Sequence, residues 1–234
     1  MGHYDVIGDI HGHGSALIRL LEKLDYRQNE GCYQHPERKV IFLGDFIDRG
    51  SQNRLVIRLV KTMVEKGLAY AVMGNHEYNA ICFHTKGKNG KYLREHTQKN
   101  IEQHQTFLAE YESYPREQKE VIEWFKTLPL FLKVDGLRAI HACWHQPTID
   151  QIIFQLDSNN CLTSEALIDS TDQENNSLAC QAIEILLKGQ KSNYQLVASS
   201  KIQMATIVVK FVLVGGTVFT LISSLSNQFL SSLI

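Results

Sequence analysis

The sequence predicts an α/β fold whose first sheet is at least partly parallel. Two observations carry that expectation. Apolar runs of strand length alternate with amphipathic helical stretches through the first third of the chain. A polar, glycine-bounded motif also follows each run: Gly8-Asp9-Ile10-His11-Gly12, Gly44-Asp45-Phe46-Ile47-Asp48-Arg49-Gly50 and Gly74-Asn75-His76-Glu77. In open α/β sheets, ligands bind beyond the carboxyl ends of the strands.

Taken in order, Tyr4–Gly8 reads as a buried strand, with a turn at Gly12-His13-Gly14. Ser15 is placed to cap a helix over Ala16–Leu24, where Leu17, Leu20, Leu21 and Leu24 share a face. Lys39–Leu43 reads as a second strand, Leu55–Lys66 as a second helix and Leu68–Met73 as a third strand. Lys86-Gly87-Lys88-Asn89-Gly90-Lys91 is a polar loop. From Thr97 to about Leu128 the pattern is helical, with Pro115 separating two helices. Leu137–His141 is another strand, Asp157–Asn160 and Asp169–Asn176 are surface loops, and a short helix lies near Ala179–Leu187.

The 234 residues suffice for one domain, expected over residues 1–190, with an atypical hydrophobic stretch at 191–234. A net charge of -1 gives no general attraction to nucleic acid or anionic lipid. Cys32, Cys82, Cys143, Cys161 and Cys180 are odd in number and widely spaced. They suit a reduced compartment better than a disulfide framework, so the expected location is the cytoplasm. No basic and apolar leader precedes the first strand, and Val6 stands where a myristoylation signal needs Ser or Thr.

Asp9 and His11, one residue apart at a strand end, point the same way if extended and can grip one ion together. Asp45 can bridge two divalent ions, which two-metal sites hold roughly 3.5–4 Å apart. Arg49 can fork onto phosphate oxygens. Asn75 offers an amide oxygen, and His76, pointing elsewhere, is free to act as an acid. His141 ends a fourth strand. Each motif also has a plain structural reading: an Asx turn closed by Gly12, an Asp48–Arg49 ion pair, a loop at Asn75-His76, a core histidine at 141. Their joint position at strand ends favours a site for two metals and a phosphate. Of the remaining histidines, His145 beside Trp144 reads as packing, and His3, His13, His35, His84, His96 and His104 read as surface or structural.

These motifs resemble the signature of the calcineurin-like metallophosphoesterases, a superfamily that includes phosphoprotein phosphatases and bacterial diadenosine tetraphosphatases. The resemblance covers Met1 to about Trp144. It implies a two-sheet β-sandwich flanked by helices and a dinuclear site at one edge. By motif, Asp9, His11 and Asp45 would hold the first ion and Asp45, Asn75 and His141 the second. His76, oriented by Asp48, would protonate the leaving oxygen, and Arg49, with Asn75 and His76, would bind the phosphate. The implied reaction is hydrolysis of a phosphate ester or anhydride by a metal-activated hydroxide. Manganese is the expected metal, with iron or zinc as alternatives. The substrate would be a nucleotide, another phosphorylated small molecule or a phosphoprotein.

The chain departs from that pattern in one respect. Members usually carry a late Gly-His-x-His segment, and no histidine follows His145 here. Each ion would lose a ligand, which leaves a catalytically impaired phospho-ligand-binding homologue as the alternative function. The 191–234 stretch reads as truncated or frame-disrupted final strands. Met204–Ile222 has the length of a membrane span, but Lys210, Gly215-Gly216 and the β-branched content favour one or two strands.

Overall fold

The computed structural model describes residues 2–172 and 174–189, together with the backbone of two short strands further on. The chain begins with β1 (His3–Ile7), α1 (Gly14–Lys23), β2 (Arg27–Asn29), β3 (Cys32–Gln34), β4 (Arg38–Phe42), α2 (Asn53–Glu65) and β5 (Ala69–Ala71). It continues through α3 (Asn75–His84), α4 (Gln98–Tyr111), α5 (Pro115–Lys126), β6 (Phe131–Val134), β7 (Leu137–Ile140), α6 (Gln146–Ile152), α7 (Ser164–Asp169) and α8 (Leu178–Leu186). Strands β8 (Val212–Val214) and β9 (Thr217–Phe219) pair as an antiparallel hairpin. The remaining expectations for the 191–234 stretch, and most of the Met204–Ile222 span, lie outside the described residues. Among those described, no helix is long and apolar enough to cross a membrane.

The expected α/β architecture is present. Strands β1, β4 and β5 form a parallel sheet with β4 in the centre. Its two faces divide by the alternation that strands impose. Ile7, Val40, Phe42, Ala69 and Ala71 face the helical layer, where Leu17 and Leu21 of α1 and Val56, Ile57, Val60 and Met63 of α2 are buried. Tyr4, Val6, Ile41, Leu43, Tyr70 and Val72 face the other way and pack on Leu132, Val134, Leu137 and Ala139 of the antiparallel β6–β7 pair. The second sheet of the sandwich is therefore represented by β6–β7. Because β4 is buried on both faces at its C-terminal end, Val40-Ile41-Phe42-Leu43 is a continuous apolar run, whereas Arg38-Lys39 at its start is not buried.

Several elements differ from the sequence reading. Ser15 is not a helix cap. α1 starts at Gly14 with His13 in the cap position, and Ser15 instead exchanges hydrogen bonds with Gln52, its N–H donating to Oε1 (2.8 Å) and its Oγ accepting from Nε2 (2.9 Å). The β2–β3 hairpin turns on Glu30 and Gly31, both at positive φ, the geometry that matches strand twist. α2 has no side-chain cap of its own. The Glu110 carboxylate of α4 receives the N–H groups of Asn53 (2.7 Å) and Arg54 (3.0 Å), placing a negative charge at the helix's positive end. Pro115 begins α5, where its missing N–H costs nothing.

Candidate active site and metal centre

The first two motif loops are joined through backbone. The N–H groups of Ile10 and His11 donate to the Asp45 carbonyl (2.9 and 2.8 Å), that of Gly12 to Phe46 (2.8 Å), and that of Gly50 back to His11 (2.9 Å). The third motif approaches as closely. A Cβ on Gly44 would lie 2.4 Å from the Gly74 nitrogen, and one on Gly74 would lie 2.3 Å from the Asp45 nitrogen. His11, Asp45, Asp48 and Arg49 all adopt positive φ (47°, 54°, 70° and 65°). Such conformations cost non-glycine residues about 1–3 kcal/mol each and persist only where the surroundings impose them.

Glu77 supplies much of that imposition. It is fully buried, and its carboxylate accepts the N–H groups of Phe46 (2.7 Å), Asp45 (2.8 Å) and Gly74 (3.0 Å). One side chain thus fastens the second and third motifs together. Burial, with the adjacent Asp45 charge, pushes its pKa up to about 8 against the pull of those N–H donors. Replacing Glu77 with alanine would leave three donors without their acceptor. We expect a loss of at least about 3 kcal/mol in urea unfolding. A change below 1 kcal/mol would contradict the clamp.

Five oxygen and nitrogen ligands converge on Asp45. Asp9, Asp45 and His141 present atoms within 4.8 Å of one another, as do His11, Asp45 and His76. His141 Nε2 lies 3.0 Å from Asn75 Oδ1 and 3.5 Å from Asp45 Oδ1. The distances group Asp9 with His141, whereas the motif resemblance pairs it with His11. The ring tautomers bear on cation binding. His141 Nδ1 faces the Leu43 carbonyl (2.7 Å) and His11 Nδ1 faces the Ile47 carbonyl (3.1 Å), and a carbonyl can only accept. Each Nδ1 carries the proton, so in the neutral ring Nε2 presents a lone pair to the carboxylate oxygens. Buried His11 Nε2 has no hydrogen-bond partner and stands 3.7 Å from Asp45 Oδ2. Burial lowers the His11 pKa, which keeps that ring neutral. Converging acceptors with an orphaned imidazole nitrogen fit a divalent cation, and this donor set of carboxylate, amide oxygen and imidazole without thiolate suits manganese, iron or zinc.

Beside this cluster, Asp48 is held between two histidines. His76 Nδ1 donates to Oδ2 (2.6 Å) and His104 Nδ1 donates to Oδ1 (2.8 Å). Burial alone would raise the Asp48 pKa, but the bonds from His104 and His76 outweigh it and hold the carboxyl ionised. The Asp48 N–H is fixed by Asn53 Oδ1 (2.7 Å). For His76, burial is outweighed by the carboxylates of Asp48 and Asp45, and its pKa is raised. The sequence reading missed His104, which it classed as surface or structural.

His104 stacks on Phe107 (ring centres 4.6 Å apart, 16°) and lies 5.5 Å from His84. Burial pulls the His84 pKa from 6.5 down to about 4. The unfolded chain therefore takes up a proton between those values that the folded chain refuses. Stability present above pH 6.5 is lost as the pH drops toward 4. His84→Phe should remove that part of the acid sensitivity, measured as the difference between urea-unfolding free energies at neutral and mildly acid pH. An unchanged difference would contradict it.

Asp48, Arg49, Asn75, His76 and His104 are among the residues lining an open cleft of about 1400 Å³. Arg49 is exposed there, and no carboxylate pairs with it among the described residues. Asn75 and His76 occupy the first turn of α3, whose N-terminal dipole favours an anion.

The sequence model of the calcineurin-like phosphoesterases matches residues 3–198. The chain belongs to this family. Among its relatives, the asymmetrical bis(5'-nucleosyl)-tetraphosphatase PrpE of Oceanobacillus iheyensis is 36% identical over 146 residues, covering 59% of this chain and 54% of that protein. PrpE of Geobacillus sp. strain WCH70 is 33% identical over 144 residues, covering 59% and 55%. The chain thus spans about half the length of the curated relatives it matches. The cold-active protein-tyrosine phosphatase of a psychrophilic Shewanella sp. aligns in structure with a TM-score of 0.44 at 18% identity, over 76% of this chain and 51% of that one. The family match extends beyond the Trp144 limit of the motif resemblance.

Proposed function

We propose that the protein is a metal-dependent phosphoesterase that cleaves dinucleoside polyphosphates. The observation that carries the reading is the gathering of Asp9, His11, Asn75 and His141 around the Asp45 carboxylate, next to an Asp48-anchored histidine that lines a cleft. The names of the PrpE relatives support the nucleotide substrate.

In this reading Asp9, His11, Asp45, Asn75 and His141 would hold two divalent ions, with manganese the expected metal. Bound there, the ions would polarise the phosphoryl oxygens and activate water. The other steps belong to side chains. Arg49 engages the phosphate oxygens by a bidentate fork. Asp48 fixes the His76 ring through Nδ1, which leaves Nε2 to deliver a proton to the departing oxygen. His104 is a positioning residue, locking the second oxygen of Asp48 so that the carboxylate cannot rotate away. The unpaired thiols suit a reduced, cytoplasmic setting.

A second reading is a homologue that binds phosphorylated ligands with little turnover. Metal-loaded protein should be offered diadenosine tetraphosphate and a phosphothreonine peptide in parallel. The proposal expects release of nucleotide with the higher kcat/KM. Preference for the peptide would overturn the substrate, and turnover of neither by a folded, metal-loaded sample would favour the binding-only reading.

A further inference from the structure

The cleft is larger than a phosphate monoester requires, since pockets for drug-sized ligands run about 300–1,000 Å³. Its lining includes Phe83 and Tyr92, two rings that a third, His96, joins into a stacked ladder. Phe83 stacks on His96 (centres 3.8 Å, 13°), and His96 stacks on Tyr92 (4.2 Å, 21°). The His96 ring is held by a bond from Nε2 to the Phe83 carbonyl (2.8 Å), so the ladder is preorganised. Tyr92, its last rung, is 40% exposed and lines the cleft. It sits on the polar loop, whose ends are joined by a bridge between Lys86 and Tyr92.

Arg94 lies two residues on. Its guanidinium donates to Asn100 Oδ1 (2.9 Å) and Gln103 Oε1 (2.7 Å), both neutral acceptors, and no carboxylate pairs with it among the described residues. Arg27, Arg38, Arg54 and Arg116, by contrast, each have a carboxylate partner. Arg94 is partly buried, lines the same cleft as Arg49 and senses the charge of Asp48. The lining also holds Lys88 and Lys91 alongside carboxylates such as Glu95 and Glu102, so the cleft is not uniformly cationic, and it is the two guanidinium groups without a carboxylate partner, Arg49 and Arg94, that suit more than one phosphate.

We propose that Tyr92 and Arg94 form a nucleotide subsite, the base stacking on Tyr92 and the polyphosphate running past Arg94 to Arg49 and His76. The subsite rests on the phosphoesterase reading above and deepens it. Stacking is base-tolerant, so the ligand class is a nucleoside polyphosphate of either base type. Lys86 Nζ lies 5.2 Å from the Tyr92 ring centre, a modest cation–π contact that an incoming base displaces.

The test compares wild type, Tyr92→Ala, Tyr92→Phe and Arg94→Gln, each confirmed by its melting temperature. p-Nitrophenyl phosphate hydrolysis should change less than twofold in all four. With diadenosine tetraphosphate, Tyr92→Ala should raise KM about tenfold at nearly constant kcat, and Tyr92→Phe should behave as wild type. ATP and inorganic tripolyphosphate are then used as competitors of p-nitrophenyl phosphate. Tyr92→Ala should weaken inhibition by ATP alone, whereas Arg94→Gln should weaken both. Equal inhibition of wild type and Tyr92→Ala by ATP would overturn the subsite. If wild type hydrolyses p-nitrophenyl phosphate but not diadenosine tetraphosphate, the proposed substrate fails, and the competition still decides whether Tyr92 holds a base.

Discussion

Asp45→Asn is expected to lower kcat/KM by more than about a hundredfold and to strip metal from the site. Asp45 contributes to both ligand clusters and stands among His11, His76 and His141. Loss of an outer hydrogen-bond partner of a metal ligand already costs about 10–100-fold, and here a carboxylate shared by both clusters is neutralised. Asparagine keeps an oxygen for the His76 N–H that Asp45 Oδ1 now accepts at 3.0 Å, so the loops should stay in place. The melting temperature of the metal-free protein should therefore change little while metal content, read by atomic emission, falls. Retained metal with retained activity would remove Asp45 from its central position.

His76→Asn should lower kcat by about 10²–10⁴-fold for an alkyl phosphate monoester such as glycerol 2-phosphate, whose alkoxide leaving group needs a proton, the usual size of a general-acid contribution. The loss should be much smaller for p-nitrophenyl phosphate, whose leaving group departs as a stable anion without needing a proton. This substrate dependence separates an acid from a residue that merely shapes the site. His104 provides a finer test of the same device. His104→Phe keeps the ring stack on Phe107 but removes the donor to Asp48, and should reduce kcat about tenfold with KM unchanged. His104→Asn returns an N–H near the position of Nδ1 and should recover much of the loss. Equal defects on both substrates for His76→Asn, or equal defects in both His104 variants, would contradict the proton-delivery account.

The parallel sheet was legible because β4 is apolar on both faces and the α1 and α2 stripes repeat at helical spacing. The motif residues were legible because each follows a strand, and the fold gathers them beyond the strands' carboxyl ends. What escaped the sequence had other causes. α3 buries Tyr78, Ala80, Ile81, Cys82 and Phe83 in near succession, so it has no one-sided stripe to reveal its length. His104 lies 56 residues from Asp48 on a helix whose buried face, His104, Phe107 and Tyr111, looks like ordinary core. Its contact depends on how α4 packs, which no local pattern encodes. Glu77 closes the third motif in the sequence, but its task, receiving three N–H groups from two loops, is likewise tertiary. Ser15 failed as a cap because Gln52, far along the chain, offers its side chain competing partners.

The most direct test is p-nitrophenyl phosphate hydrolysis before chelation, after chelation and after manganese is returned, with bound metal quantified at each stage. The account predicts activity lost with the metal and restored as binding approaches two ions per chain, with Asp45→Asn inactive throughout. Turnover indifferent to chelation, or none from a folded protein carrying its metal, would contradict it.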